Sequence, residues 1–271
     1  MTATLRKMLA IILLAATFPI AVDAAPRVRE YSLNVGQFDR IKVDDNVNVI
    51  YRCLPDSTGI AVYRGEEDFC DSFILTNNKG ELRVQVTTED VNKPGMPVLY
   101  LYSDFLVQVE NSSDFTLTVD SPAPAPQFKA VQMGNGAIQV QNVRSTKVIA
   151  VLNTGNGNIS VSGKCEEAQL KMIGTGMISA DHLMAQNVKC MILGSGSIGC
   201  WPVQSLESRG LGSTKIYYRG DPAITKKGGG KLFQLPQEVE AYEEAEEEAE
   251  ENQEEAEENV EPLKEPVINN E

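Results

Sequence analysis

The residues able to carry acid–base, nucleophilic or metal chemistry are few in this chain of 271 residues. Histidine occurs once, as His182 beside Asp181. Such a neighbour could serve as a general base only where other groups converge on it. The plainer reading is a polar pair on the surface. The five cysteines, Cys53, Cys70, Cys165, Cys190 and Cys200, show none of the Cys-x-x-Cys or Cys/His spacings of a metal site. An odd count in an exported chain leaves at least one thiol free. By order along the chain, Cys53 and Cys70 are the candidates for a bridge. Paired carboxylates of the kind that cleave polysaccharides could come from Asp44, Asp45, Asp104 or Asp114. Their separation in sequence does not set their separation in space. No cofactor is implied by any of these residues.

A second set of polar residues is defined by repetition. Between Met133 and Tyr218 the chain reads Gly134-Asn135-Gly136, Gly155-Asn156-Gly157, Gly174-Thr175-Gly176, Gly194-Ser195-Gly196 and Gly212-Ser213-Thr214. The steps between first glycines are 21, 19, 20 and 18 residues. A dinucleotide fingerprint would need a third glycine opening a helix after a buried strand, and no copy supplies one. The residues held between the glycines are Asn135, Asn156, Thr175, Ser195 and Ser213. If the copies stack, these five form an outward polar ladder about 4.8 Å apart. Such a strip could hydrogen-bond a glycan or a protein. The bland alternative is that these side chains only serve their own turns.

What must position them is legible in the same copies. Four residues after each first glycine stands Ile138, Ile159, Ile178, Ile198 or Ile216. Six residues after it stands Val140, Val161, Ala180, Cys200 or Tyr218. The residues between are small or polar in four of five copies. Period two is a strand with one buried face, and a fixed period near 20 is the signature of a solenoid. Glycine lets the chain turn corners and lets neighbouring coils approach closely. The expected architecture is all-β: a right-handed single-stranded parallel β-helix. A β-sandwich of short hairpins also spaces strands regularly, but it rarely keeps one signature at a fixed phase through five copies. Thr214 stands where glycine is expected, and a β-branched residue resists positive φ, so the last corner is expected to bend differently.

Around this repeat the chain divides into four parts. Residues 1–24 read as a secretory signal: Arg6 and Lys7, an apolar run from Met8 to Val22, then Val22-Asp23-Ala24 as a cleavage site. The run is short for a membrane span. Residues 25–110 are β-rich but irregular, with turns expected at Asp44-Asp45-Asn46, over 53–59 and over 77–80. Residues 111–235 hold the repeat. Val107 to Leu117 reads as a degenerate earlier coil, Ser121 to Pro126 as a surface insertion, and the stretch after Tyr218 as a last coil with its cap. Residues 236–271 hold 16 Glu and one Lys, a solvated acidic tail expected to be disordered.

The net charge is −14 and the tail contributes −15 of it, so the remainder is nearly neutral. Neither part suits nucleic acid. Nothing in the sequence names an oligomeric state.

Phe38-x-x-Ile41-x-Val43, the run Leu-Gly-Ser-Gly-Ser-Ile over 193–198 and Ile-Tyr-Tyr-x-Gly-x-Pro over 216–222 resemble the head GIN domain of autotransporter-type adhesins of Bacteroidetes. The resemblance covers about 31–235. It implies a right-handed β-helix similar to pectin-lyase-like folds but without their catalytic residues, and a role in cell adhesion toward a glycan or a cell-surface protein. Thr214 and the acidic tail depart from the family pattern. The reading weighed against adhesion is a carbohydrate-active β-helix enzyme. If residues 1–24 are an export signal, N-terminal sequencing of the mature protein should begin near Ala25. A mature chain starting at Met1 or Thr2 would show that no signal is removed.

Overall fold

The computed structural model describes residues 28–236 apart from Asn92. The expected export signal, and the acidic segment beyond Pro236, lie outside the described residues. Nine short strands come first: β1 (Arg29–Asn34), β2 (Arg40–Val43), β3 (Val49–Cys53), β4 (Ile60–Gly65), β5 (Phe73–Asn78), β6 (Glu81–Val86), β7 (Leu99–Ser103), β8 (Gln108–Asn111) and β9 (Thr116–Asp120). Five longer ones follow: β10 (Ala125–Met133), β11 (Ala137–Asn153), β12 (Asn158–Gly174), β13 (Met177–Gly194) and β14 (Ser197–Leu211). The described chain closes with β15 (Lys215–Tyr218), β16 (Ala223–Gly228) and β17 (Lys231–Gln234). Together they form a β-solenoid of about six turns.

Each regular coil has two flat faces. The first face carries the Ile-x-apolar pattern that follows the glycine corner. The second carries the strand that leads back to the next corner. Backbone register stacks Leu117, Ile138, Ile159, Ile178, Ile198 and Ile216 directly on one another, and all six are 2% exposed or less. Opposite them, the second face stacks Val148, Ala168, Val188 and Leu206, with Ala150, Leu170 and Cys190 two residues on. Large side chains on one face thus meet a mixture of large and small on the other, and the narrow interior fills. Each buried isoleucine contributes roughly 1.5–3 kcal/mol. No single coil could bury its own, so neighbouring coils share this stabilisation.

The corners show why glycine comes in pairs. At Gly155 φ is +82°, and an added β-carbon would lie 2.4 Å from the Gly134 carbonyl oxygen. The second glycine has ordinary φ and is needed for space alone: a β-carbon at Gly176 would lie 2.0 Å from the Gly157 oxygen and 2.7 Å from Leu152 Cδ2. This explains Thr214. It occupies the second position, where positive φ is not required, while Gly212 takes the turn at φ +103°. Room for the threonine comes from across the coil. Leu152, Met172 and Ile192 succeed one another in the second-face column, and the next residue there is Gly210. A β-carbon at Gly210 would lie 2.6 Å from Thr214 Oγ1. A large residue and a glycine have exchanged sides, and Thr214 is buried.

The N-terminal part stacks out of chain order. β2 lies between β6 and β8 and β3 between β7 and β9, all parallel. The coil built from β6 and β7 therefore lies outside the one built from β2 and β3, although it comes later in the chain. Beyond it the parallel ladder ends in antiparallel pairs: β5 on β6, β4 on β7 and β1 on β4. Lys79 and Gly80, both at positive φ, make the β5–β6 hairpin turn, as Asn77-Asn78-Lys79-Gly80 led us to expect. Phe38, Tyr51 and Tyr63 are buried here. Tyr31 stacks on Tyr63 at 4.9 Å, and Phe73 meets Tyr63 edge-on at 4.7 Å. These rings close the end of the core that the isoleucine column leaves open.

One expectation is corrected. Ser121 to Pro126 is not an insertion. Ala125 and Pro126 begin β10, and Ser121 stands at the ordinary second corner of its coil, where Asn142 Nδ2 of the next coil donates to its hydroxyl. At the other end β16 and β17 continue the stack in parallel on β14 and β15, with Lys226, Lys227 and Lys231 exposed on the edge. Such charges discourage pairing with another chain.

The alternation of faces makes a sharp expectation. Replacing Ile178 by Ala should cost about 2–5 kcal/mol, whereas Met177→Ala on the exposed side should stay within about 0.5 kcal/mol. Urea denaturation of both variants checks this, and equal losses would contradict the stacked column.

Candidate functional site

Asn135, Asn156, Thr175, Ser195 and Ser213 all lie on the exposed side of the glycine corner, one above the next. The parallel register that stacks the isoleucines fixes this alignment, since each ladder residue precedes its isoleucine by three positions. Two of the five are used by the corner itself. Asn135 Oδ1 accepts the Asn156 backbone N–H at 3.3 Å, and Thr175 Oγ1 donates to the Gly155 carbonyl at 3.3 Å. The side chains of Asn156, Ser195 and Ser213 make no hydrogen bond within the described residues.

The strip is longer than the glycine motif implied. Asn135 Nδ2 donates to Asp114 Oδ1 at 3.3 Å, and the Asp114 N–H donates to Asn46 Oδ1 at 3.0 Å. Register places Asn46 and Asp114 at the ladder position of their own coils, since Val49 pairs with Leu117 and Thr116 with Ala137. These two were missed because their corners carry no Gly-x-Gly. The signal that could have found them is position: each stands three residues before a buried apolar strand residue, as Asn135 does.

Beneath the strip the corner is held from inside. Asn111 and Gln132 are fully buried, and Asn111 Nδ2 donates to Gln132 Oε1 at 3.0 Å. Asn111 Oδ1 accepts from the Ser113 N–H at 3.1 Å and hydroxyl at 2.8 Å, and Nδ2 also reaches the Phe115 carbonyl at 2.9 Å. Gln132 Nε2 donates to the Met133 carbonyl at 2.9 Å. Buried amides are stable only when so satisfied. The pair takes the column places that Leu152 and Met172 fill in later coils. Its hydrogen bonds fix the serine corner over 112–114, where the later corners close through glycine pairs.

The other candidates do not assemble. Asp44 pairs with Arg83, and Asp45 Oδ2 accepts the Val86 N–H at 3.0 Å. Asp104 accepts from Gln37 Nε2 at 2.5 Å, and Asp114 belongs to the strip. Each carboxylate has its own partner. His182 lies 3.8 Å from Asp181 with its side chain 60% exposed, and Arg219 approaches the same carboxylate at 3.7 Å. Among the described residues no three of His, Cys, Asp and Glu come together as a metal set.

All five cysteines are free thiols. The Cys53–Cys70 bridge expected from chain order is not formed: Cys53 Sγ donates to the Asp104 carbonyl and Cys70 Sγ to Asp71 Oδ2, each at 3.4 Å. Cys53 ends β3, whereas Cys70 follows the short 3₁₀ turn Glu67–Phe69. Cys200 is buried in the first-face column as expected, and Cys190 is buried on the second face. The neighbouring Cys200 and then burial push the Cys190 thiol well up, while burial pushes Cys165 up to about 12.

A solenoid of parallel coils, closed at one end by antiparallel strands and lined at one corner by exposed polar side chains, defines the structural class. A family model described as "Putative auto-transporter adhesin, head GIN domain" matches residues 37–222, and the chain belongs to that family. Solved structures of the same fold include a "putative adhesin" from Bacteroides fragilis NCTC 9343, with 18% identity, 77% of this chain and 97% of that one covered, and a TM-score of 0.69. A "putative adhesin" from Parabacteroides merdae ATCC 43184 has 21% identity, 78% and 97% coverage and a TM-score of 0.59. A "putative lipid binding protein" from Parabacteroides distasonis ATCC 8503 has 18% identity, 77% and 97% coverage and a TM-score of 0.58. At these identities the likeness shows the fold. No curated protein matches the chain.

Thiol burial yields a measurable order. Alkylation of the native protein should label exposed Cys70 first, and faster as pH rises, because its hydrogen bond to Asp71 raises its pKa. Cys165, Cys190 and Cys200 should label only on unfolding. Mass mapping that found Cys190 modified early in native protein would contradict its burial.

Proposed function

We propose that the protein is exported by its N-terminal segment and works at the cell envelope as a non-catalytic adhesin. Its ligand, a glycan or a surface protein, lies along the strip from Asn135 to Ser213, extended at one end by Asp114 and Asn46. The family supports the adhesive role. The observation that carries the site is the alignment of exposed polar side chains at one corner of successive coils, those of Asn156, Ser195 and Ser213 making no hydrogen bond among the described residues. A rigid row about 4.8 Å apart presents donors and acceptors that need little ordering on binding, which limits the entropic cost of association. The carboxylates each serve a separate partner, which favours binding over glycan cleavage. No helix among the described residues is long and apolar enough to cross a membrane.

The test is the mature protein screened against glycans and against envelope and host-surface proteins, scored for binding and for cleavage. Changing Asn156, Ser195 and Ser213 together to alanine should weaken binding at least about tenfold, or 1.4 kcal/mol, with unchanged thermal unfolding. Binding that survives the triple variant would remove the strip as the site. Release of glycan fragments would overturn the non-catalytic reading, and failure to bind any surface component would overturn the adhesive one.

A further inference from the structure

The outward side of the second face has a character that neither the strip nor the family accounts for. Register places Lys129, Lys147, Lys171, Lys189, Arg209 and Lys227 on it, from β10 through β16, together with two acids, Glu167 and Glu207. Six cations against two carboxylates leave a net of +4. Glu167 is shared by Lys147 at 3.2 Å and Lys189 at 3.4 Å, and Glu207 by Arg209 at 2.8 Å and Lys227 at 3.7 Å. Two acids therefore serve four cations, and among the described residues Lys171 and Lys129 pair with no acid. Outside these strands several cations are matched one to one: Lys42 by Glu110, Arg52 by Asp120, Arg64 by Glu30 and Arg83 by Asp44. Between the cations, Val151, Met191 and Leu193 line a shallow groove, with Met191 38% and Leu193 36% exposed.

The chain itself carries the complementary polymer. Residues 237–271 hold 16 Glu and one Lys, with Val239, Tyr242, Val260 and Leu263 among them. They leave the fold beside this face. Gln234 pairs with Tyr218, and the coil before it passes from Tyr218 into β16 on the second face within five residues. Pro236 stands at the same corner. Crossing from β16 to β10 is about 24 Å at 4.8 Å per strand. A chain of 35 residues with random-coil dimensions would span on the order of 30 Å, which is long enough to reach every cation named.

We propose that the acidic segment 237–271 lies over the cationic second face and is its resident occupant. The polar strip at the glycine corner is left open, so this docking is independent of the adhesive reading. It covers this cationic face of the solenoid and shields it from other polyanions.

Zero-length carbodiimide coupling of carboxylates to lysines in the full mature chain, mapped by mass spectrometry, tests this. Mixing ¹⁴N and ¹⁵N protein separates links within one chain from links between chains. We expect intrachain links from the tail to Lys129, Lys147, Lys171, Lys189 and Lys227, several-fold above those to Lys79, Lys164 and Lys215. They should fade at about 0.5 M salt, where the Debye length falls to about 4 Å. The exposed triple variant Lys171→Glu, Lys189→Glu, Arg209→Glu should lose the links to Lys129 and Lys147 while keeping its thermal transition. Links spread evenly over all exposed lysines, confined to Lys215, Lys226 and Lys231 near the point of exit, or found only between chains would each overturn the proposal.

Discussion

The structure rests on one constraint: successive coils must pair backbone to backbone in register about 4.8 Å apart, all the way round. Anything thicker than a backbone at the inside of a corner would hold the coils apart. The glycine pair answers this with two separate properties, positive φ at the first position and absence of a β-carbon at the second. Once the corners close, the isoleucines have only one place to go. The column they form is then a consequence of the pairing as much as a cause of it. The exchange of Gly210 and Thr214 shows that interior volume at the corner is the conserved physical quantity, whichever strand supplies it.

A parallel ladder has no natural end. At the N-terminal side this chain solves the problem by changing strand direction. β4 and β5 fold back as antiparallel partners of β7 and β6, and β1 lies outside β4. Tyr51, Tyr63 and Phe38 fill the core where no further coil supplies an isoleucine. At the other side the strands stay parallel, and lysine and glycine protect the edge. The two ends differ because one can recruit strands from an excursion of the same chain, while the other is where the fold runs out.

Two outward surfaces follow from the same register and are chemically distinct. The glycine corner presents small neutral polar groups on a rigid backbone, partly consumed by the turns and partly free. The second face presents long cationic side chains over scattered apolar ones. Because a parallel stack repeats every position in line, a property of one coil becomes a stripe along the solenoid. A fold that places like residues in columns makes extended surfaces more readily than enclosed sites, and the dispersed carboxylates fit that logic.

Much of this was readable in the residues. Gly-x-Gly followed by Ile at a step near 20 already required stacked coils, because both the period and its phase persist through five copies. The ladder residues followed from the same spacing, and the turn at 77–80 from its own residue types. What the residues could not show was where interaction partners separated by unequal loops would meet. The β2–β3 coil sits beneath a coil that follows it in the chain, an order decided by which strands can pair and still close the core. Nothing local marks Asn111 and Gln132 as interior residues, yet they stand inside, because a buried amide pair can satisfy itself only when one coil is laid on another. Cys53 and Cys70 are close in order but belong to different elements, and Ser121 to Pro126 looked like an insertion until its neighbour Asn142 gave it a place. Local periodicity determines which face of a strand is buried; only the closed stack decides which strands, corners and charges become neighbours.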